Sequence, residues 1–150
     1  MDDLKLYTQQ EENGLNQALE AMYFGFRAII AKPDEMLATL NLSRVHHRIL
    51  YFIARNEYMS VKELLKKLGV TKQYIHQPMR KLIDESYIQA TPDKADRRIK
   101  RLTLTTKGKD LEENLSRLQR NQFKQVFTAV GSEAEHHWKH VMDILVQTEK

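Results

Sequence analysis

The stretch Ser60–Thr71, S-V-K-E-L-L-K-K-L-G-V-T, places a helix start, a helix stop and a second helix start within one short run. Ser60 with Glu63 three residues on is a capping box, in which hydroxyl and carboxylate each satisfy an otherwise unpaired backbone N–H. Val61, Leu64, Leu65 and Leu68 supply an apolar stripe at helical spacing. Gly69 stops the helix, Val70 fills the turn and Thr71 can cap the next helix. Two short helices joined by so tight a turn restrict the fold more than any other part of the chain.

The second of these helices, expected over 71–85, carries Pro78 in its middle. Proline has no N–H for the carbonyl of Tyr74 and crowds it, at a cost of roughly 3 kcal/mol. Starting the helix at Pro78 would strand Thr71 and leave Gln77 as a poor cap. Ending it at Gln77 would discard the inward row Ile75, Met79, Leu82 and Ile83. A continuous helix, bent near its second turn, keeps both signals.

The remaining chain reads as mainly helical, because five Gly and three Pro leave few tight turns for a many-stranded sheet. A long helix is expected from Glu11 or Glu12 to Ala31, with Leu15, Leu19, Met22, Phe26 and Ile29/Ile30 on one face. Pro33 is expected to break it, leaving a short helical piece from Asp34 to Leu40. Ser43 then caps a helix to about Arg55, with Val45, Ile49, Leu50, Phe52 and Ile53 on its buried side. After Ser86, strand-like pieces at 87–91 and 99–105 flank the polar turn PDKADRR. Thr105 or Thr106 can cap a second long helix bearing Leu111, Leu115, Leu118, Gln122 and Val126. Gly131-Ser132 breaks it, and a last helix follows from about Glu133 with Trp138, Val141, Met142 and Leu145 inward.

At 150 residues this is one ordinary domain, able to bury a core without disulfides or metals. The absence of cysteine excludes disulfides, thiolate zinc sites and thiol-based oxidant sensing. The acidic N-terminus is no secretory signal, and no apolar run approaches the ~20 residues of a membrane span. A cytoplasmic protein with no membrane partner is expected. Net charge is +4, unevenly spread: residues 60–109 hold 13 Lys/Arg against 5 Asp/Glu, and the remainder holds 11 against 15. A basic middle between acidic ends suits a polyanion-binding surface carried by other structure.

No phosphate-cradling glycine loop, G-x-S-x-G or cysteine nucleophile is present, so an enzyme is not expected, nor a cofactor. His46 and His47 are wrongly spaced to point one way along a helix. His136 and His140 form an i, i+4 pair, but two ligands do not make a metal site, and no metal is expected.

The order helix, glycine turn, helix, strand, basic turn, strand is that of a winged helix-turn-helix. In such a fold the second helix lies in the DNA major groove and the hairpin brings cations to a neighbouring phosphate or minor groove. With Ile75 and Met79 inward, Thr71, Lys72, Gln73, Tyr74, His76, Gln77, Arg80 and Lys81 are left for solvent or DNA. Gln73 and Gln77, one turn apart, can offer bidentate contacts to adenine edges. Tyr74 can pack on a sugar or base methyl, and Lys72 and Arg80 suit phosphates.

The hairpin D93-K-A-D96-R-R98-I-K-R-L102-T-L104-T105-T-K-G108 resembles the wing of the MarR-type transcriptional regulators, D-x-x-D-x-R followed by L-x-L-T-x-x-G. The resemblance extends over the whole chain, in the same order of elements. It implies a mainly α fold with a small β-hairpin wing: a winged helix-turn-helix lobe over 43–105, with dimerisation helices from both chain ends, 11–42 and 106–148. It implies that Asp96 orients Arg98 near the wing tip, with Lys94 and Arg97 beside them at the minor groove. Lys100 and Arg101 would add backbone contacts, or serve only as surface charges of the strand. Gly108 would permit close backbone packing.

The resemblance further implies a homodimer on a near-palindromic site, more often a repressor than an activator, with double-stranded DNA as partner. A small aromatic or anionic effector would bind between the dimer base and the reading lobe, near Tyr23, Phe26, Arg27, His46, His47 and Tyr51. Packing in the core or the interface is the competing role for these six. The competing role for the whole lobe is a protein-interaction module that no longer reads DNA, and Pro78 is the residue that favours it.

Overall fold

The computed structural model describes residues 5–149; Lys150 and the first four residues of the acidic N-terminal stretch lie outside it. The elements run α1 (Gln9–Thr39), α2 (Arg44–Arg55), β1 (Met59–Ser60), α3 (Val61–Leu68), α4 (Lys72–Asp84), β2 (Ile88–Pro92), β3 (Lys100–Leu104), α5 (Thr106–Val130) and α6 (Ser132–Gln147). The fold is mainly α with a small antiparallel sheet.

The expected break at Pro33 does not occur: α1 is one helix of 31 residues that passes through the proline. Pro33 removes the donor that would meet the Ile29 carbonyl, and Gln119 Nε2 of α5 donates to that carbonyl instead at 3.1 Å. Gln122 Nε2 donates to the neighbouring Ala28 carbonyl, also at 3.1 Å. A tertiary hydrogen bond thus replaces the lost helical one, and the Pro33 ring is fully buried. The helix also starts ahead of its expected first turn. Thr8 and Glu11 form a capping box, Glu11 N–H to Thr8 Oγ1 at 3.2 Å and Thr8 N–H to Glu11 at 2.6 Å. At its far end Asn41 adopts φ 56° and closes a Schellman motif, with Leu42 N–H to the Leu37 carbonyl at 2.9 Å.

Ser43 caps α2 as expected, and His46 Nδ1 accepts the Ser43 N–H at 2.9 Å, the part a Glu plays in a capping box. Ser60 and Glu63 cap α3 reciprocally, and Gly69 ends it in the left-handed region at φ 65°. Thr71 caps α4, which continues through Pro78 to Asp84. Ser86, at φ 64°, ends α4 in a second Schellman motif, with Tyr87 N–H to the Leu82 carbonyl at 2.8 Å.

The wing strands pair antiparallel, Ile88 with Leu104 through Pro92 with Lys100. A third strand, not foreseen, completes the sheet in the order β1-β3-β2, with Met59 opposite Leu102 and Ser60 opposite Arg101. Thr105 is the cap of α5: its Oγ1 accepts the Gly108 N–H at 3.0 Å and donates to the Ser86 carbonyl at 2.6 Å. Gly108 lies so close to the preceding turn that a Cβ would fall 2.0 Å from the Tyr87 carbonyl oxygen.

The core fills the winged lobe. Ile49, Leu50, Leu64, Ile75, Leu82 and Leu102 are fully buried there, and Leu37 from the end of α1 and Leu115 of α5 join them. Ile83 is corrected: it is 38% exposed at the edge of the α4 row that Ile75, Met79 and Leu82 anchor. The inward face expected for the last helix is corrected too. Within one chain α6 packs mainly on α5, so none of its residues is buried. Trp138 meets Phe123 and Phe127 at ring distances of 5.4 and 5.7 Å, yet stays 43% exposed.

Candidate nucleic-acid interface

On α4 the buried pair Ile75 and Met79 fixes which side faces out. Lys72, Gln73, Tyr74, His76, Gln77 and Arg80 are all exposed, as is the cap Thr71. The Thr71 hydroxyl accepts the Tyr74 N–H at 3.2 Å, so its oxygen is engaged in holding the helix start. Lys72, Gln73, Tyr74, His76 and Gln77 line a shallow groove of about 570 Å3 with Val45 and Pro78. Arg80 reaches Asp84 at 3.8 Å on the open surface, a pair weak enough to exchange for a phosphate. Lys81, read from the sequence as solvent-facing, turns back instead. Its Nζ donates to the Asn41 carbonyl at 2.5 Å and ties α4 to the end of α1.

In the wing, Arg98 donates from Nε and one terminal nitrogen to the two oxygens of Asp96, at 3.1 and 3.2 Å. The Arg98 backbone N–H meets the same carboxylate at 3.1 Å. These bonds, the side-chain one first, hold the Asp96 carboxyl below its ordinary pKa. Asp96 therefore does orient Arg98, whose side chain is 91% exposed. Lys94, Arg97 and Lys100 are exposed, and among the described residues none of them meets a carboxylate. Arg101 differs: its Nε donates to Asp93 at 3.0 Å, so its guanidinium turns into the hairpin.

The six residues grouped around a ligand do not all meet. Phe26, His47 and Tyr51 line a cavity of about 240 Å3 with Ile29, Ile30, Phe52 and Gln119. Its cations are Arg44 and Arg48 of α2, which the sequence reading passed over. Arg44 pairs with Asp34 at 3.3 Å and stands 5.8 Å over the Phe26 ring. Arg27 lies instead over the exposed Tyr23 ring at 5.7 Å, and His46 is spent on the α2 cap. The signal that could have found Arg44 and Arg48 was their helical register with His47 and Tyr51.

Beside the cavity runs a polar chain between α2 and α5. His47 Nε2 lies 3.2 Å from Ser116 Oγ, which donates to buried Glu112 at 3.4 Å. Glu112 also holds Arg55, and the Arg55 guanidinium covers the Tyr51 ring at 3.8 Å. Burial pushes His46 and His47 below the ordinary imidazole pKa; for His47 nearby Glu112 works against that shift. Among the described residues no three His, Asp or Glu side chains come together as metal ligands, and no helix is long and apolar enough to cross a membrane.

A sequence profile of the MarR family matches residues 40–99, from the end of α1 through the wing turn. The HTH-type transcriptional regulator PetP of Rhodobacter capsulatus is 35% identical over 132 residues, covering 88% of this chain and 80% of that protein. The chain belongs to the MarR family. It is a winged helix-turn-helix transcriptional regulator of that family, and solved structures repeat its fold at low identity. FabT of Streptococcus pneumoniae, in complex with DNA, superposes with a TM-score of 0.78 at 16% identity, over 91% of this chain and 96% of that one. NadR, in complex with 4-hydroxyphenylacetate, superposes with a TM-score of 0.68 at 20% identity, over 99% and 100%.

Proposed function

We propose that this MarR-family regulator binds double-stranded DNA in the cytoplasm as a homodimer, on a near-palindromic operator, and represses transcription there. Helix 71–85 enters the major groove with Gln73 and Gln77 reading bases, while Tyr74 and His76 pack beside them. Thr71, Lys72 and Arg80 meet the backbone. The wing, 92–99, brings Lys94, Arg97 and the Asp96-oriented Arg98 to the minor groove, with Lys100 on a phosphate. The observation that carries this reading is the pairing of an open polar α4 face with an arginine held extended at the wing tip. The DNA-bound FabT structure, of the same fold, supports it.

Residues 43–105 act as the reading lobe, and 11–42 with 106–148 as the dimerisation helices. Leu15, Leu19, Met22, Val126, Val141 and Ile144 leave apolar surface open on α1, α5 and α6, as an interlocking partner chain requires. The cavity at Phe26, His47 and Tyr51, with Arg44 and Arg48, suits a one-ring aromatic carboxylate that releases DNA. NadR, of the same fold, holds such a molecule.

Selection from random duplexes should return a preferred near-palindrome. With ~6–10 phosphate contacts, raising salt from ~50 to ~200 mM should weaken binding ~10³–10⁵-fold in a mobility-shift series. A shallow salt response with no preferred sequence refutes the reading. If Gln73→Ala with Arg98→Ala leaves affinity unchanged, the lobe is a protein-interaction module instead.

A further inference from the structure

We propose that Asp93 is a positioning residue for the wing's DNA contacts: it clasps Arg101 and closes the wing turn, and so sets where Arg98 stands relative to α4. The inference rests on the reading that the wing meets DNA.

Residues 93–98 include no buried side chain, so hydrophobic packing cannot fix the turn and its shape depends on polar contacts. Asp93 supplies half of the turn's hydrogen bonds, and Asp96 the others. One carboxylate oxygen accepts the N–H groups of Ala95 and Asp96, at 3.1 and 3.0 Å, as Asp commonly does in a turn. The Asp93 N–H donates to the Ile99 carbonyl at 2.8 Å across the hairpin. The other carboxylate oxygen accepts from Arg101 Nε at 3.0 Å.

Arg101 carries the connection out of the wing. It lies in β3 between Ser60 of β1 and Thr91 of β2. Its guanidinium donates to the Tyr58 carbonyl at 3.4 Å and stands 3.8 Å from Glu63. Glu63 in turn holds the Ser60 N–H at the start of α3, which the Gly69 turn joins to α4. A continuous set of polar contacts therefore runs from Arg98 through Asp96, Asp93 and Arg101 to the helix-turn-helix. Its inner members are shielded, Asp93 at 22% and Arg101 at 29% exposed, while Arg98, held by Asp96, faces solvent. Bonds from the Asp96 N–H and from Arg101 keep the Asp93 carboxyl below its ordinary pKa, so the clasp is charged at neutral pH.

Two substitutions separate the parts of this clasp. Asp93→Asn keeps a carbonyl oxygen for the turn and loses the anionic acceptor for Arg101; Asp93→Ala loses both. The probe is the duplex that the full-length wild-type protein selects from random DNA, titrated by fluorescence anisotropy with Arg98→Ala made in each background. Asp93→Ala should weaken binding roughly three- to tenfold and Asp93→Asn by less. Arg98→Ala should then cost clearly less in the Asp93→Ala background than in the wild type, and hydroxyl-radical protection at the wing's minor groove should fade. A role in stability alone would shift the thermal midpoint and leave the two substitutions additive in binding. An equal cost of Arg98→Ala in both backgrounds overturns the inference while leaving wing binding intact. No cost of Arg98→Ala in the wild type overturns the wing reading itself, and the inference with it.

Discussion

His47 reads in the sequence as a candidate ligand contact, and the fold encloses it between α2 and α5 beside Ser116. Burial is the largest influence on its imidazole; Glu112 and Asp34 favour the protonated form, while Arg55 and Arg48 oppose it. His46 is depressed in the same direction, first by burial and then by Lys81. A base with a lowered folded pKa leaves the unfolded chain binding more protons between the two values, so stability rises with pH across that window. The contribution is complete above the unfolded value of about 6.5 and is lost as pH falls through the folded values. The thermal midpoint should therefore drop from pH ~7.5 to ~5, and His47→Gln should flatten that drop. An unchanged wild-type midpoint over this range would contradict the assignment. At this scale the wing motif made Asp96 and Arg98 legible, because a local spacing encodes their contact. The inward turn of Arg101 was not legible: its partners Asp93 and Glu63 become neighbours only when β3 pairs with both β1 and β2.

Two prolines inside helices separate what local chemistry decides from what packing decides. At Pro33 the bereft Ile29 carbonyl receives Gln119, and the ring is buried. At Pro78 the ring is half-buried, and among the described residues no side chain donates to the Tyr74 carbonyl. Pro78→Ala should therefore raise the unfolding free energy by roughly 1–3 kcal/mol, recovering much of the helical cost. Pro33→Ala should change it by less than about 1 kcal/mol, since its hydrogen bond is already replaced and its buried ring would leave a void. Urea titrations of the two variants check the contrast, and equal effects would remove it. DNA affinity should also change in Pro78→Ala if the ring shapes the reading face. Capping signals predicted most helix starts; Thr8-x-x-Glu11 is the same signal, and it sets the start of α1 ahead of the apolar stripe. The helix ends before Asn41 and Ser86 lie within one residue of the expected bounds, although neither Schellman motif uses glycine.

At the scale of the molecule, the helices at both ends of the chain carry apolar side chains that one chain does not cover. Leu19 is 69% and Val141 60% exposed. Leu19→Asp with Val141→Asp should cost a lone chain little, since both sites face solvent there. Facing copies of these charges in a two-fold interface should convert a dimer to monomers in sedimentation velocity and abolish tight binding to the two-half-site duplex. A wild-type monomer would refute the dimer. The sequence by itself determined the helix-turn-helix, the wing and the polar face of α4, because caps, glycine stops and apolar periodicity act over a few residues. Only the tertiary structure decided that α1 runs unbroken, that β1 joins the sheet, that Arg44 and Arg48 border the cavity and that Asp93 holds Arg101. Each of those depends on groups distant in sequence, whose hydrogen bonds and burial exist only once the helices and the sheet have met.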